Sequence, residues 1–211
     1  MFPQQPQQQF SKAGADVQLF YRDSAWAKPP GVSHIYMMLI GGGGDGNGVD
    51  EGGSSGAVTV WYGAAQHVPD SLVLAVSTGN NVNTTVNYRA SNGLNTLLTA
   101  SASNGSTTAT AMTANQFTAS GFFSSTAGQT QGSGSASTTT FLTAGASVGA
   151  SPGNYGYTRG GTTSHGYFQL QPIIVSVGSG GDLGVNSRAA IGSGAGVIGR
   201  GGPGMVLIAS W

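Results

Sequence analysis

The stretch that most suggests chemistry is residues 41–48, with the sequence GGGGDGNG. Glycine-rich turns bind phosphate groups in P-loops, but a P-loop continues with Lys and Ser or Thr and then opens a helix. Here Asp45 follows the glycines instead, and its carboxylate would repel a phosphate. The sequence therefore argues against nucleotide binding.

Four oxygen-bearing side chains lie close together just after the glycines: Asp45, Asn47, Asp50 and Glu51. They supply enough oxygen atoms for a hard cation such as calcium. The spacing is not that of an EF-hand, because Val49 occupies a ligand position. A solvated polar turn is the favoured interpretation, so no metal site is predicted, and calcium binding between residues 45 and 51 stays an open alternative.

Other catalytic arrangements are not apparent in the sequence. The histidines His34, His67 and His165 are far apart, and His34 is interpreted as a residue at the start of a buried strand. No serine lies in a nucleophile elbow with a strand before it and a helix after it. The seven acidic residues offer no pair with glycosidase spacing. We expect no catalytic residue and no cofactor, although a polysaccharide hydrolase is kept as a third hypothesis.

One group of residues suggests recognition rather than catalysis. Tyr155, Tyr157, Arg159 and Tyr167 lie within a segment of small polar residues. Aromatic rings among Gly, Ser and Thr make good contact surfaces for sugars or proteins. These four residues are therefore candidate receptor contacts. The alternative, that the rings attach long loops to the core, is left open.

Short apolar or alternating runs predict the elements that must position these residues. Residues 34–40 (HIYMMLI) are almost entirely apolar, as in a strand buried on both faces. Alternation in residues 85–90 predicts that Val86 and Tyr88 point inward and that Asn87 and Arg89 point outward. Further strands are predicted at residues 17–22, 57–62, 71–77, 173–177 and 205–211. With no helical periodicity, we expect an all-β protein: a β-sandwich or jelly-roll-like domain with long Gly/Ser/Thr-rich loops.

The chain divides into a short arm and one domain. Residues 1–15 begin MFPQQPQQQF, a Pro/Gln composition typical of an extended arm. We expect a neighbouring subunit to hold this arm, with Phe2 and Phe10 as apolar anchors, while folding back onto its own domain is the alternative. Residues 16–211 form a single glycine-rich β domain. Its Ser/Thr-rich part, about residues 90–165, is predicted to be an insertion that projects outward.

The composition narrows the classes of partner. Charged residues make up 7% of the chain, against about 25% in typical domains, and the net charge is zero. Nucleic-acid binding needs a basic patch, and none is present. The longest apolar run, residues 35–40, is far shorter than the roughly 20 residues that cross a bilayer. Low charge favours association with other copies of the chain, and the absence of a signal peptide predicts synthesis in a cytoplasm.

The 37 glycines carry a physical cost. Ordering the backbone costs about 1–2 kcal/mol per residue, and glycine loses more freedom than any other residue. Polyglycine at residues 41–44 must therefore lie in a well hydrogen-bonded or an oligomeric environment. Glycine content of this kind favours assembly.

An ordered combination of motifs at the two ends of the chain resembles a known family. Residues 26–32 (WAKPPGV) lead into the apolar strand and then into polyglycine, and residues 201–204 (GGPG) precede a last strand that ends at Trp211. This resembles the glycine-rich domain of phage tail-fibre and virion structural proteins, over about residues 24–76 and 178–211. The central Ser/Thr-rich stretch departs from the uninterrupted glycine tracts of that family.

The resemblance, the arm and the low charge together predict a non-enzymatic structural protein of a virion. The expected role is a capsid-vertex, spike or decoration subunit that binds other copies of itself and other virion proteins. The alternative is a receptor-binding adhesin at a tail-fibre tip, which contacts a host surface receptor or glycan. Neither role requires nucleic-acid binding or insertion into a membrane.

Overall fold

The computed structural model describes residues 15–46, 53–128, 167–170, 173–176 and 200–211. Within these ranges the protein is all-β, as the sequence predicts, with two single-turn 3-10 helices at Ala65–His67 and Thr118–Ser120. The strands are β1 (Asp16–Phe20), β2 (Ser24–Ala27), β3 (His34–Ile40), β4 (Val58–Ala64), β5 (Ser71–Ala75), β6 (Thr84–Ala90), β7 (Gly93–Ala100), β8 (Gly121–Thr126), β9 (Tyr167–Leu170), β10 (Ile173–Ser176) and β11 (Met205–Ser210). Neither helix is long enough to cross a membrane, and the described residues contain no other helix.

Two antiparallel sheets form a sandwich. The first has five strands in the order β1-β11-β3-β4-β8, and the second has four in the order β2-β5-β6-β7. Strands β9 and β10 pair separately as a hairpin. Two strands from the predicted insertion, β7 and β8, belong to the sandwich and pair with β6 and β4. That part of the Ser/Thr-rich region therefore contributes directly to the two sheets.

Alternation along the strands of the five-stranded sheet produces two buried clusters. On β3, Ile35, Met37 and Leu39 point into the space between the sheets, whereas Met38 and Ile40 point to the opposite face. The opposite face is also buried, as the zero exposure of Met38 and Ile40 indicates. Strands buried on both faces have continuous apolar sequences, which explains HIYMMLI in β3 and MVLIAS in β11.

Asn87 is buried although it lies on the face of β6 that the sequence predicts to point outward. Val86 and Tyr88, on either side of it, both pack in the core between the sheets, so Asn87 points to the opposite face, where it is 3% exposed. The register shift between Val86 and Asn87 leaves Leu97 as an extra residue on β7, and the alternation of β6 is kept. The amide of Asn87 donates to the carbonyl of Val73 (3.2 Å) and to Oγ1 of Thr85 (2.8 Å), and its Oδ1 accepts from Oγ1 of Thr96 (2.7 Å).

The sandwich has two chemically different ends. At the glycine end, β3 runs into polyglycine at Gly41, and β11 starts after Gly204. At the opposite end, which we call the arm end, Asp16 at the start of β1 pairs with Ser210 at the end of β11. The arm therefore joins the sandwich at the arm end. Gly128 and Arg200, which flank residues 129–199, both lie next to segments of the glycine end.

Candidate functional site

Polyglycine at the glycine end lies within a set of extended segments that we call the glycine bundle: residues 41–44, 53–57, 77–79, 101–105 and 201–204. Its central segment, residues 41–44, is hydrogen-bonded to three different neighbours. The bonds join Gly41 N to Ala57 O (2.9 Å), Gly44 N to Ser54 O (2.8 Å), Ser103 N to Gly42 O (2.9 Å) and Gly43 N to Gly202 O (3.0 Å). A strand within a sheet has at most two hydrogen-bonded neighbours. These segments therefore form a bundle rather than another sheet.

Close backbone contact explains why the central segment is glycine. A Cβ atom on Gly41 would collide with the carbonyl oxygen of Ser101 and would lie 2.6 Å from its carbonyl carbon. Gly41 is not among the described glycines with positive φ, so space rather than backbone conformation requires glycine here. The hydrogen bonds that polyglycine needs are thus supplied within the chain, and its presence does not by itself require a neighbouring subunit.

Two polar side chains hold the outer edge of the glycine bundle. Oδ1 of Asp45 accepts a hydrogen bond from the backbone N–H of Gly201 at 2.7 Å. Oδ1 of Asn80 accepts from the N–H of Gly105 at 2.7 Å and from that of Asp45 at 3.3 Å. Asp45 thereby joins two segments of the bundle that are distant in sequence.

The calcium alternative involves residues that are mostly outside the described ranges. Asn47, Asp50 and Glu51 all lie there, which leaves Asp45 as the one residue of that set with a described position. No group of three or more His, Cys, Asp or Glu side chains that could hold a metal occurs in the part of the chain that the structure describes.

An aromatic layer occupies the outer face of the five-stranded sheet at the arm end. It consists of His34, Tyr62 and Trp211, whose ring centroids are 5.7, 5.8 and 6.2 Å apart with interplanar angles of 14–19°. Three nearly parallel rings that are almost equidistant form a layer and not a column. Phe122 lies opposite Tyr62 on β8 and is 63% exposed, so it extends the aromatic surface toward the edge of the sheet.

Backbone pairing fixes the aromatic layer in place. The N–H of Trp211 donates to the carbonyl of His34 at 3.1 Å, and the N–H of His34 donates back at 3.0 Å. The hydroxyl of Ser33 donates to the carbonyl of Trp211 at 3.1 Å. Next to the layer, burial raises the pKa of Tyr36 far above that of an ordinary tyrosine. The layer therefore borders a buried part of the same sheet face.

A cavity of about 550 Å³ also opens toward the arm end. It lies between the β6–β7 hairpin, the 3-10 helix that follows β4, and the loop before the second 3-10 helix. The described residues that line it are His67, Pro69, Tyr88, Asn95, Thr96, Leu97, Asn115, Gln116 and Phe117. None of these residues is an Asp, Glu, Lys or Arg, so the lining combines aromatic rings, amides and apolar side chains.

Asn115 positions the loop on one side of the cavity. Its Oδ1 accepts from the N–H of Thr118 at 2.9 Å, and its amide donates to the carbonyl of Leu97 at 3.0 Å. The ring of the adjacent Phe117 stacks on the buried Trp61, with centroids 4.7 Å apart. The loop is thereby attached both to β7 and to the core.

Lys28 positions the opposite side of the cavity. Its Nζ donates to the carbonyls of Val68 (2.8 Å) and Ala65 (3.2 Å) and forms an ion pair with Asp70 (2.8 Å). These contacts hold residues 65–70, the turn that carries His67 and Pro69. The cavity thus has walls attached to the sandwich from both sides.

The residues predicted from the sequence as anchors or receptor contacts are mostly not described. Phe2, Phe10, Tyr155, Tyr157 and Arg159 all lie outside the described residues. Tyr167 is the first residue of β9, where its backbone lies opposite Ser176 of β10.

The cavity residues do not stand out in the sequence because they come from four separate segments. The one local signal is the sequence Asn115-Gln116-Phe117, two amides followed by an aromatic residue within a stretch of small side chains. Searches against models of known protein families and against curated proteins find no match to this chain.

Proposed function

We propose that the protein is a non-enzymatic structural subunit of a virus particle, attached to the particle through its arm end. The observation that carries the proposal is that the arm and residues 129–199 join the sandwich at opposite ends. The Pro/Gln arm joins the sandwich beside Ser210, whereas residues 129–199 leave and return at the glycine end. A subunit anchored by the arm would thus carry Gly128 and Arg200, which flank residues 129–199, at the end away from the shell.

The surfaces at the arm end support attachment to other proteins. Phe122 is 63% exposed beside the aromatic layer, and large exposed aromatic side chains are enriched at protein interfaces. The chain as a whole has net charge zero, so association meets no electrostatic repulsion. The arm, on which Phe2 and Phe10 are the predicted anchors, joins the sandwich at this same end through Asp16.

Antibody labelling of purified particles of the virus that encodes the protein tests the proposed location and orientation. One antibody is raised against residues 1–15 and the other against residues 129–199. We expect the second to label intact particles and the first to label only disrupted ones. Equal labelling of intact particles by both antibodies, or absence of the protein from the particles, would refute the proposal.

A receptor-binding adhesin at a tail-fibre tip is the second candidate function; in this role the arm end, where the cavity opens, would face the host instead of the shell. The cavity favours it, because aromatic rings and amides around a neutral cavity suit a host-surface ligand. The test is competition: the purified protein should reduce adsorption of the virus to its host. A protein that is present on particles but leaves adsorption unchanged at saturating concentration would favour the structural role alone.

A further inference from the structure

We propose that the cavity at the arm end binds a neutral saccharide. The inference extends the adhesin form of the proposed function, since it names the ligand class and the residues that would contact it. Three features of the cavity suit such a ligand: the charge of its lining, its stacking surfaces and its available polar groups.

The charge of the lining points to an uncharged ligand. No Asp, Glu, Lys or Arg is among the described lining residues. On the turn that carries His67 and Pro69, the charged Asp70 is paired at 2.8 Å with Lys28, which follows β2. An anionic or cationic ligand would lose its hydration in the cavity without gaining a counter-charge. A neutral polar ligand meets no such penalty.

The lining provides apolar surface that matches the C–H face of a sugar ring. Tyr88 and Phe117 are both partly buried against the core, so their rings are held by packing. Leu97 and Pro69 extend this apolar surface. Small-molecule sites typically combine such a surface with a few placed polar groups, in volumes of about 300–1,000 Å³. The cavity volume of about 550 Å³ lies within that range.

Polar groups with free hydrogen-bonding capacity lie around this apolar surface. Within the described part of the chain, neither the hydroxyl of Tyr88 nor the side-chain amide of Gln116 makes a hydrogen bond, and Gln116 is exposed. Asn95 donates to Asn92 at 3.2 Å, which leaves its carbonyl oxygen as an acceptor. A side-chain amide offers both donors and an acceptor, and a hydroxyl offers one of each kind. Together these groups can satisfy several neighbouring sugar hydroxyls.

Three lining residues can therefore be given a role. Tyr88 would stack on the sugar and hydrogen-bond at its edge, and Gln116 would bind hydroxyl groups directly. Asn115 is a positioning residue, because its amide oxygen and nitrogen already hold the loop to Thr118 and Leu97. Ligand contact is thus expected to depend on Tyr88 and Gln116.

Saturation-transfer NMR on the full-length chain tests the proposal. The probes are maltotriose, cellotriose, chitotriose and a galactose disaccharide, with oligogalacturonate and oligoglucosamine as charged counterparts. We expect at least one neutral probe to bind and both charged ones to fail. Gln116→Ala and Tyr88→Ala should each weaken the binding at least tenfold. Two matched controls outside the lining, Gln18→Ala and Tyr21→Ala, should leave it unchanged, since Gln18 lies in the five-stranded sheet and its side chain bonds Asp16.

Three outcomes would overturn the proposal: no neutral probe binds, only the charged probes bind, or binding survives in both cavity variants. Gln116 is exposed, so its variant keeps the test valid even if Tyr88→Ala fails to fold. The measurement uses the isolated chain, whereas the particle labelling tests location. A negative NMR result with positive labelling would thus reject the saccharide site and leave the structural role standing.

Discussion

The substitution Gly41→Ala tests whether the glycine bundle is packed as closely as its geometry indicates. The added Cβ would meet the carbonyl group of Ser101, a backbone group that cannot rotate away. Two hydrogen bonds lie beside this contact, from Gly41 N to Ala57 O and from Ala57 N to Ser101 O, both at 2.9 Å. Accommodating the methyl group requires the segments to separate, and this lengthens at least one of the two bonds.

The expected loss of stability follows from three contributions. Overpacking costs about 1–3 kcal/mol, and loss of one hydrogen bond costs about 0.5–1.5 kcal/mol. Alanine lowers the conformational entropy of the unfolded chain, and this stabilises the folded state by about 0.4–1 kcal/mol. The net decrease in the free energy of unfolding is roughly 2.5 kcal/mol, which corresponds to about 5–10 °C in Tm for a chain of this length.

Urea unfolding followed by tryptophan fluorescence measures this difference, since Trp26 and Trp61 are buried in the core. Gly31→Asn is the matched control. Gly31 has a φ of +80°, and no heavy atom lies within 4 Å of the place that a Cβ would take; Asn tolerates that conformation. The control should stay within about 0.5 kcal/mol of the unsubstituted chain. A Gly41→Ala protein as stable as the control would refute the close packing of the bundle.

Further predictions concern the core, the loop and the bundle edge. Phe117→Ala removes the ring stacked on Trp61 and should lower the free energy of unfolding by about 3–5 kcal/mol, measured by urea unfolding. Phe122→Ala is the control, because its ring is exposed and its loss should lower the free energy of unfolding by under about 1 kcal/mol. Asn115→Ala breaks the bonds to Thr118 and Leu97 and should lower the free energy of unfolding by about 1–2 kcal/mol, while Asn92→Ala serves as an exposed control. Asp45→Ala removes the acceptor for Gly201 N and should lower the free energy of unfolding by about 1.5–3 kcal/mol. An unchanged midpoint of urea unfolding would contradict the role of Asp45 in joining the two segments. Burial raises the pKa of Tyr36, so the folded state holds that proton more tightly than the unfolded state, and stability should fall as the pH rises above about 10. Tyr36→Phe should reduce this fall in stability above about pH 10. If the free energy of unfolding depends on pH identically in the substituted and the unsubstituted protein, the role of Tyr36 is contradicted.

Strands with strong apolar patterns can be predicted from the sequence. β3 matches residues 34–40 because seven consecutive residues lack turn formers and are buried on one or other face. β2 has no such pattern, because Ser24–Ala27 contains one large apolar residue, Trp26, and takes its place by pairing with β5. β7 and β8 lie within Ser/Thr-rich sequence, where the pairing partner and not the local pattern determines the strand.

Three features cannot be predicted from the sequence, for physical reasons. The burial of Asn87 depends on hydrogen-bond partners from the neighbouring strands, Val73 of β5 and Thr96 of β7, and the sequence of β6 does not specify them. The contacts of residues 41–44 cannot be predicted either, because glycines have no side chains that could specify which segment they contact. The cavity brings together residues from four segments, and their proximity is a property of the fold and not of any local motif.

The glycine bundle also changes what glycine-rich sequence implies about dynamics. Amide protons exchange with solvent slowly where hydrogen bonds open only with the fold. Gly41, Gly43 and Gly44 donate to carbonyls of two other segments, and Met205 and Ile40 next to them are fully buried. Deuterium uptake at these glycines should therefore be as slow as in the centre of β3. A tract that resembles a flexible linker in composition would then be among the most protected parts of the molecule.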